Sequence, residues 1–116
     1  MVELKRPYRR ILTYSSLGSL SNMYYYGKDG RDGISYKDLK ATLSLNDSTL
    51  APQLLWLKDK GYAESKDEQL NDERQLIYYI TDKGKVAYEA VLKWLESLPL
   101  KADLEEDVGE KDGRGD

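Results

Sequence analysis

Apolar residues in the first half of the chain recur every three or four positions; past Gly61 the interval drops to two. That switch separates helices from a hairpin. Pro7 suits the first turn of a helix, and Tyr8, Ile11, Leu12 and Ser15 follow one face of it. The pattern continues through Leu20, Met23 and Tyr24 until Gly27, where the charged connector GKDGRDG (27–33) interrupts it. Ser35 is then placed to cap a short helix, with Asp38 at the third position of a capping box and Tyr36, Leu39, Ala41 and Leu43 available for packing. Leu45-Asn46-Asp47-Ser48 reads as a turn, and Leu50, Leu54 and Leu57 form the buried stripe of a helix over 48–60 that Gly61 ends. Two short helices joined by a tight polar turn make a helix-turn-helix over about 35–60.

Beyond Gly61, the residues 62–66 and 74–80 read as strands, with Leu76, Tyr78 and Ile80 on one face. The polar loop between them carries Asp67, Glu68, Asp72 and Glu73, so 62–80 is predicted to be a hairpin. Thr81 caps a last helix over about 82–97, where Val86, Ala90, Val91, Trp94, Leu95 and Leu98 supply a broad apolar stripe. Pro52 is inexpensive only in the first turn of a helix, which predicts a start near Ser48 or Thr49, with either residue as the cap.

Composition narrows the chemistry. A chain of 116 residues suits one domain, here expected over 1–98, followed by an acidic segment, 99–116, too poor in apolar residues to order itself. Cysteine and histidine are both absent, which removes disulfides, thiolate catalysis, the usual zinc sites and every histidine-based catalytic arrangement. No glycine-rich loop precedes a Lys-Ser/Thr pair, so neither an enzyme nor a bound cofactor or metal is expected. No apolar run is long enough to span a bilayer and the first residues lack a signal-peptide pattern, which points to a cytoplasmic protein. The net charge of −3 hides a gradient: residues 1–40 hold eight Lys/Arg against four acids, whereas residues 101–116 hold three against seven. Acidity overall therefore does not exclude a nucleic-acid partner.

The element order and two local motifs resemble the winged helix-turn-helix domain of MarR- and ArsR-type transcription regulators and related single-domain proteins common in archaea. The first motif is Leu50, Leu54, Leu57, Gly61 and Tyr62; the second is Ile80-Thr81-Asp82-Lys83-Gly84. The resemblance implies an α+β, mostly helical fold with a two-stranded β-hairpin wing and a C-terminal helix. It also implies sequence-specific binding of double-stranded DNA, with helix 48–60 in the major groove and the wing on the backbone or in the minor groove. On that reading Ser48, Thr49, Pro52, Gln53 and Trp56 meet the bases, Gln53 foremost because its amide matches adenine. Arg9, Arg10, Lys37, Lys40, Lys66 and Arg74 would meet phosphates. A homodimer through the last helix, at Val86, Ala90, Val91, Trp94, Leu95 and Leu98, would set two reading helices about one DNA turn apart.

Two features depart from that pattern. Leu55 and Trp56 stand where such readers often carry basic or polar residues, and the wing loop is acidic. A winged helix used for protein contact, with Leu55 and Trp56 as its anchor, is the competing reading; the same pair folded under a neighbouring helix would be plain core. Ten tyrosines stand against no phenylalanine, so most are expected to serve as core aromatics, with Tyr25, Tyr26 and Tyr79 the candidates for stacking on a ligand.

Overall fold

The computed structural model describes residues 3–28, 33–70 and 72–99. The acidic segment from 100 onward and the middle of the GKDGRDG connector lie outside the described residues. The elements are α1 (Arg6–Arg9), a 3-10 turn (Arg10–Leu12), α2 (Tyr14–Lys28), β1 (Ile34–Ser35), α3 (Tyr36–Leu43), α4 (Asp47–Asp59), β2 (Ala63–Leu70), β3 (Glu73–Ile80) and α5 (Asp82–Glu96). The sheet is antiparallel, in the order β1-β3-β2. This is the winged helix-turn-helix arrangement expected from the element order.

Helix α2 is the central post. Leu20 and Met23 on it, Leu39 on α3, Leu50, Leu54 and Leu57 on α4, and Ala87 and Val91 on α5 are all removed from solvent and share one core. Each of the three α4 leucines gains about 1.5–3 kcal/mol from that burial. Their i, i+4, i+7 spacing therefore decides which face of α4 turns inward. Ala41, expected to pack, is exposed on the outer side of α3.

Three expectations are corrected. The single N-terminal helix is two: Thr13 is extended at ψ 155, and its hydroxyl accepts from the Ser16 amide at 3.2 Å, restarting the chain as α2. The start of α4 is set by Asn46, whose side chain accepts from the Thr49 amide at 3.0 Å, so neither Ser48 nor Thr49 is the cap. Pro52 consequently lies inside the helix, and it removes the amide that would have reached the Ser48 carbonyl. The wing strands pair from Ala63↔Ile80 as far as Leu70↔Glu73, through residues expected to be loop. Alternating polar residues there satisfy backbone pairing on both faces without needing a core. On β3, Leu76, Tyr78 and Ile80 share one face as expected; Tyr78 on it is buried and Leu76 exposed, and Ile77 is buried on the opposite face, where β1 pairs at Ile77 and Tyr78.

The two motifs meet in space. Gly61 turns the chain out of α4 with φ +81, a conformation other residues adopt only under strain. Thr81 then donates its hydroxyl to the Gly61 carbonyl at 2.5 Å and its amide to the Tyr62 carbonyl at 3.1 Å, while its Oγ1 accepts from the Gly84 amide at 3.0 Å, capping α5. Gly84 sits so close that a Cβ would collide with the Tyr62 carbonyl oxygen and come within 2.8 Å of Ile80 Cγ1. Lys83 completes the latch by donating to the Lys60 carbonyl at 2.8 Å.

Helix propensity alone would make Gly84→Ala stabilising by about 1 kcal/mol. Contact with a fixed carbonyl reverses the sign, and urea unfolding of Gly84→Ala is expected to show a loss of about 2–3 kcal/mol. Equal or greater stability would mean that the close approach is not a constraint.

Candidate nucleic-acid interface

Three groups of polar contacts fix α4 relative to its neighbours. At its start, Asp47 accepts from the Tyr36 hydroxyl at 2.6 Å and pairs with Lys40 Nζ at 3.2 Å, joining the first turn of α4 to α3. A carboxylate in the first turn also complements the helix dipole. In its middle, Gln53 Oε1 accepts from the Ser16 hydroxyl at 2.7 Å, joining α4 to α2. The Tyr14 hydroxyl donates to the Leu43 carbonyl at 3.0 Å, so the end of α3 is tied to the same post. At the far end, the Gly61–Tyr62 latch fixes the exit.

The face left outward is short and mostly apolar. Ser48, Thr49, Ala51, Pro52 and Leu55 are exposed, Leu55 at 65 %. Lys58, two turns after Ala51, and Asp59, one turn after Leu55, end the strip. Ser48 turns its hydroxyl back onto Asn46 Oδ1 at 2.8 Å.

Of the five residues expected to read bases, the structure brings Ser48, Thr49 and Pro52 onto this outer face. Gln53 and Trp56 lie on its flank instead. Gln53 follows Leu50 by three positions, which turns it toward α2 and into the Ser16 hydrogen bond. Trp56 is half-buried against the core, edge-on to Tyr62 at 5.9 Å, with the Arg10 guanidinium 4.8 Å over its ring. Arg6, Pro7, Arg10, Trp56, Lys60 and Tyr62 together line an open cleft of about 320 Å³.

The cations expected to meet phosphate are spread over three sides. Lys37 is exposed on α3, next to the paired Lys40. Arg9 donates through Nε to the Leu4 carbonyl at 3.3 Å, and Arg10 covers Trp56. On the wing, Lys66 lies 5.1 Å over the Tyr79 ring, whose hydroxyl bonds to Glu68, and Arg74 is exposed nearer the tip. Asp67, Asp72 and Glu73 are exposed beside them. Sequence reasoning missed Lys60 and Lys83, which the latch brings together, Lys83 donating to the Lys60 carbonyl; their distance in sequence hides that pairing.

The stripe proposed for dimerisation divides. Val91 is fully buried within its own chain, and Trp94 packs on the same core, because α5 covers α1 and α2. Val86, 61 % exposed, and Leu95 remain outward, with Ala90 and Leu98 half-buried. The tyrosines are largely structural. Tyr24 donates to Glu89 at 2.6 Å, Tyr88 to Ser21 at 3.1 Å, and Tyr25, though partly exposed, sits edge-on to both rings.

A family model described as a winged helix DNA-binding domain matches residues 23–98, which covers the helix-turn-helix, the wing and α5. The chain belongs to this winged-helix family. Among curated proteins no relative matches its sequence. Among solved structures, the winged-helix chain is similar to the transcriptional repressor CouR bound to a 23-mer DNA duplex: TM-score 0.62, 20 % identity, covering 85 % of this chain and 65 % of that one. It is also similar to the S. aureus MepR–DNA complex, with TM-score 0.60, 18 % identity and 88 % and 71 % of the two chains covered. A MarR-family transcriptional regulator from Silicibacter pomeroyi aligns over 94 % of this chain and 82 % of its own, with TM-score 0.54 and 16 % identity. At these identities the likeness is one of fold, and it is the likeness to MarR-type regulators that the two motifs imply.

Electrostatics mark the joint between α3 and α4. The Tyr36 hydroxyl and then Lys40 hold the Asp47 carboxyl below its ordinary value, while burial and then the bond to Asp47 push the Tyr36 hydroxyl up to about 12. Asp47 therefore contributes stability above the ordinary carboxylate pKa that is lost as pH falls through its lowered one. Tyr36→Phe removes the larger of the two stabilising partners. In a carboxyl NMR titration, Asp47 of the variant is expected to take up its proton at higher pH than in the wild type; identical curves would show that the hydroxyl is not a partner in solution.

Proposed function

We propose that the chain binds double-stranded DNA sequence-specifically as a transcription regulator, with α4 in the major groove and the β2–β3 wing against the backbone or the minor groove. One observation carries this reading. Helix α4 is fixed on its inner side by three leucines and at both ends by polar contacts, yet its outer face stands clear over Ser48–Leu55. A rigid helix presented from a scaffold is what groove insertion requires. Membership of a DNA-binding domain family supports it, as do the DNA complexes of the similar CouR and MepR.

In this reading Ser48, Thr49 and Pro52 face the bases. Arg9, Arg10, Lys37, Lys40, Lys66 and Arg74, joined by Lys58 and Lys60, neutralise phosphates. Residues 1–98 act as the DNA-binding unit, and the acidic 99–116 segment is an appendage to it. The protein works in the cytoplasm, where its DNA would be, and without catalysis. Val86, Ala90 and Leu95 on the outer side of α5 form the contact between two copies. The acidic wing and the exposed Leu55 favour one alternative, a winged helix that binds protein.

Duplex affinity measured against salt separates the two. A dimer in sedimentation should bind duplex at low salt; if about four phosphates are neutralised, affinity should fall on the order of a hundredfold between about 50 and 200 mM salt. A dimer with no duplex binding even at low salt would leave the protein-contact reading standing.

A further inference from the structure

Between positions 48 and 55 of α4, the only side chain able to make a bidentate bond to a base edge is Gln53, and Ser16 holds its oxygen. The outer strip is otherwise two short hydroxyls followed by Ala51, Pro52 and Leu55. Such a surface cannot recognise guanine through an arginine fork or adenine through a free amide. Beyond single hydrogen bonds from the Ser48 and Thr49 hydroxyls, which discriminate weakly between bases, it can recognise the C5-methyl of thymine, the apolar group that base pairs display in the major groove. We infer that α4 selects its site through thymine methyl groups, with Leu55 as the main specificity-determining residue and Ala51 and Pro52 beside it. This rests on the DNA-binding reading above and names the sequence class that the same face would take.

Geometry and charge favour DNA as the occupant. From Ser48 to Leu55 the helix rises about 10 Å, the length of about three base steps. Exposed cations flank the strip on separate elements, with Lys37 on α3, Lys58 on α4 and Arg10 over the Trp56 flank. These cations, with the carboxylates Asp38, Asp47 and Asp59 exposed among them, leave an apolar strip beside positive charge, which suits a groove whose walls are phosphate and whose floor carries methyls. Asp59, one turn beyond Leu55, places the carboxylate where the helix would be leaving the groove. Specificity of this kind comes from fit and desolvation, since a methyl against Leu55 excludes water that an unmethylated pyrimidine would keep.

The test uses the full chain and a pool of randomised duplexes. Selection is expected to enrich sites with thymine at adjacent or alternating positions. In the best site, replacing such a thymine by deoxyuridine removes the methyl and leaves every hydrogen-bonding group in place. One replacement at a contacted position should weaken binding about fourfold, corresponding to about 0.8 kcal/mol for one buried methyl. Leu55→Ala, at a side chain that is mostly exposed and so not needed for folding, should reduce that thymine-to-uridine ratio to near one at its own position. Duplex binding with equal affinity for the thymine and uridine forms at every position would overturn this inference alone. A ratio unchanged by Leu55→Ala would overturn the role of Leu55. No duplex enriched at low salt would overturn the DNA-binding reading and this inference with it.

Discussion

The fold hinges on one backbone approach, that of the first turn of α5 to the exit of α4. Thr81 bonds to the carbonyls of Gly61 and Tyr62, and Gly84 lies against the Tyr62 carbonyl where no Cβ fits. The contact joins residues about twenty positions apart in sequence, so it can form only when the hairpin between them has closed. It sets the base of the wing, the direction of α5 and the end of α4 at once. Tyr62, which carries the acceptor, also packs edge-on against Trp56 and Tyr8, extending the latch into the aromatic side of the core.

Everything offered to a partner follows from how firmly α4 is held. Its inner leucines fill the core against α2, Asp47 ties its start to α3, Gln53 ties its middle to α2, and the latch ties its end. These contacts consume the polar groups that would otherwise face outward. What is left is a short strip in which apolar atoms outnumber donors and acceptors. Rigidity and a spare chemistry on the reading face are thus two results of one arrangement. A helix held on three sides loses little freedom on binding, and its discrimination has to come from shape.

Much of this was legible in the sequence, for physical reasons that differ by element. The leucine spacing of α4, the Ser35 cap of α3 and the Thr81 cap of α5 are local signals, and local hydrogen bonds enforce them. The start of α4 misled, because Pro52 is tolerated inside a helix whose neighbours bury its other face, while Asn46 supplied the cap. The wing strands were underestimated because polar residues at Asp67–Gln69 give no alternating hydrophobic signal, although backbone pairing needs none. The site was less legible than the fold. Gln53 has the right chemistry for adenine, but only the three-dimensional structure shows Ser16 beside it. Val91 belongs to an apolar stripe that sequence cannot divide between a chain's own core and a second copy.

If α4 reads DNA, its outer face is the surface that meets the duplex. The most direct measurement is an NMR titration of the isotope-labelled full chain with its best selected duplex, following backbone amides and leucine methyls. The largest shifts are expected on Ser48, Thr49, Ala51 and the Leu55 methyls, with smaller ones at Lys37 and Lys66 and with Leu54 comparatively still. Shifts concentrated on α5, or an α4 face unmoved while duplex is bound, would contradict that placement.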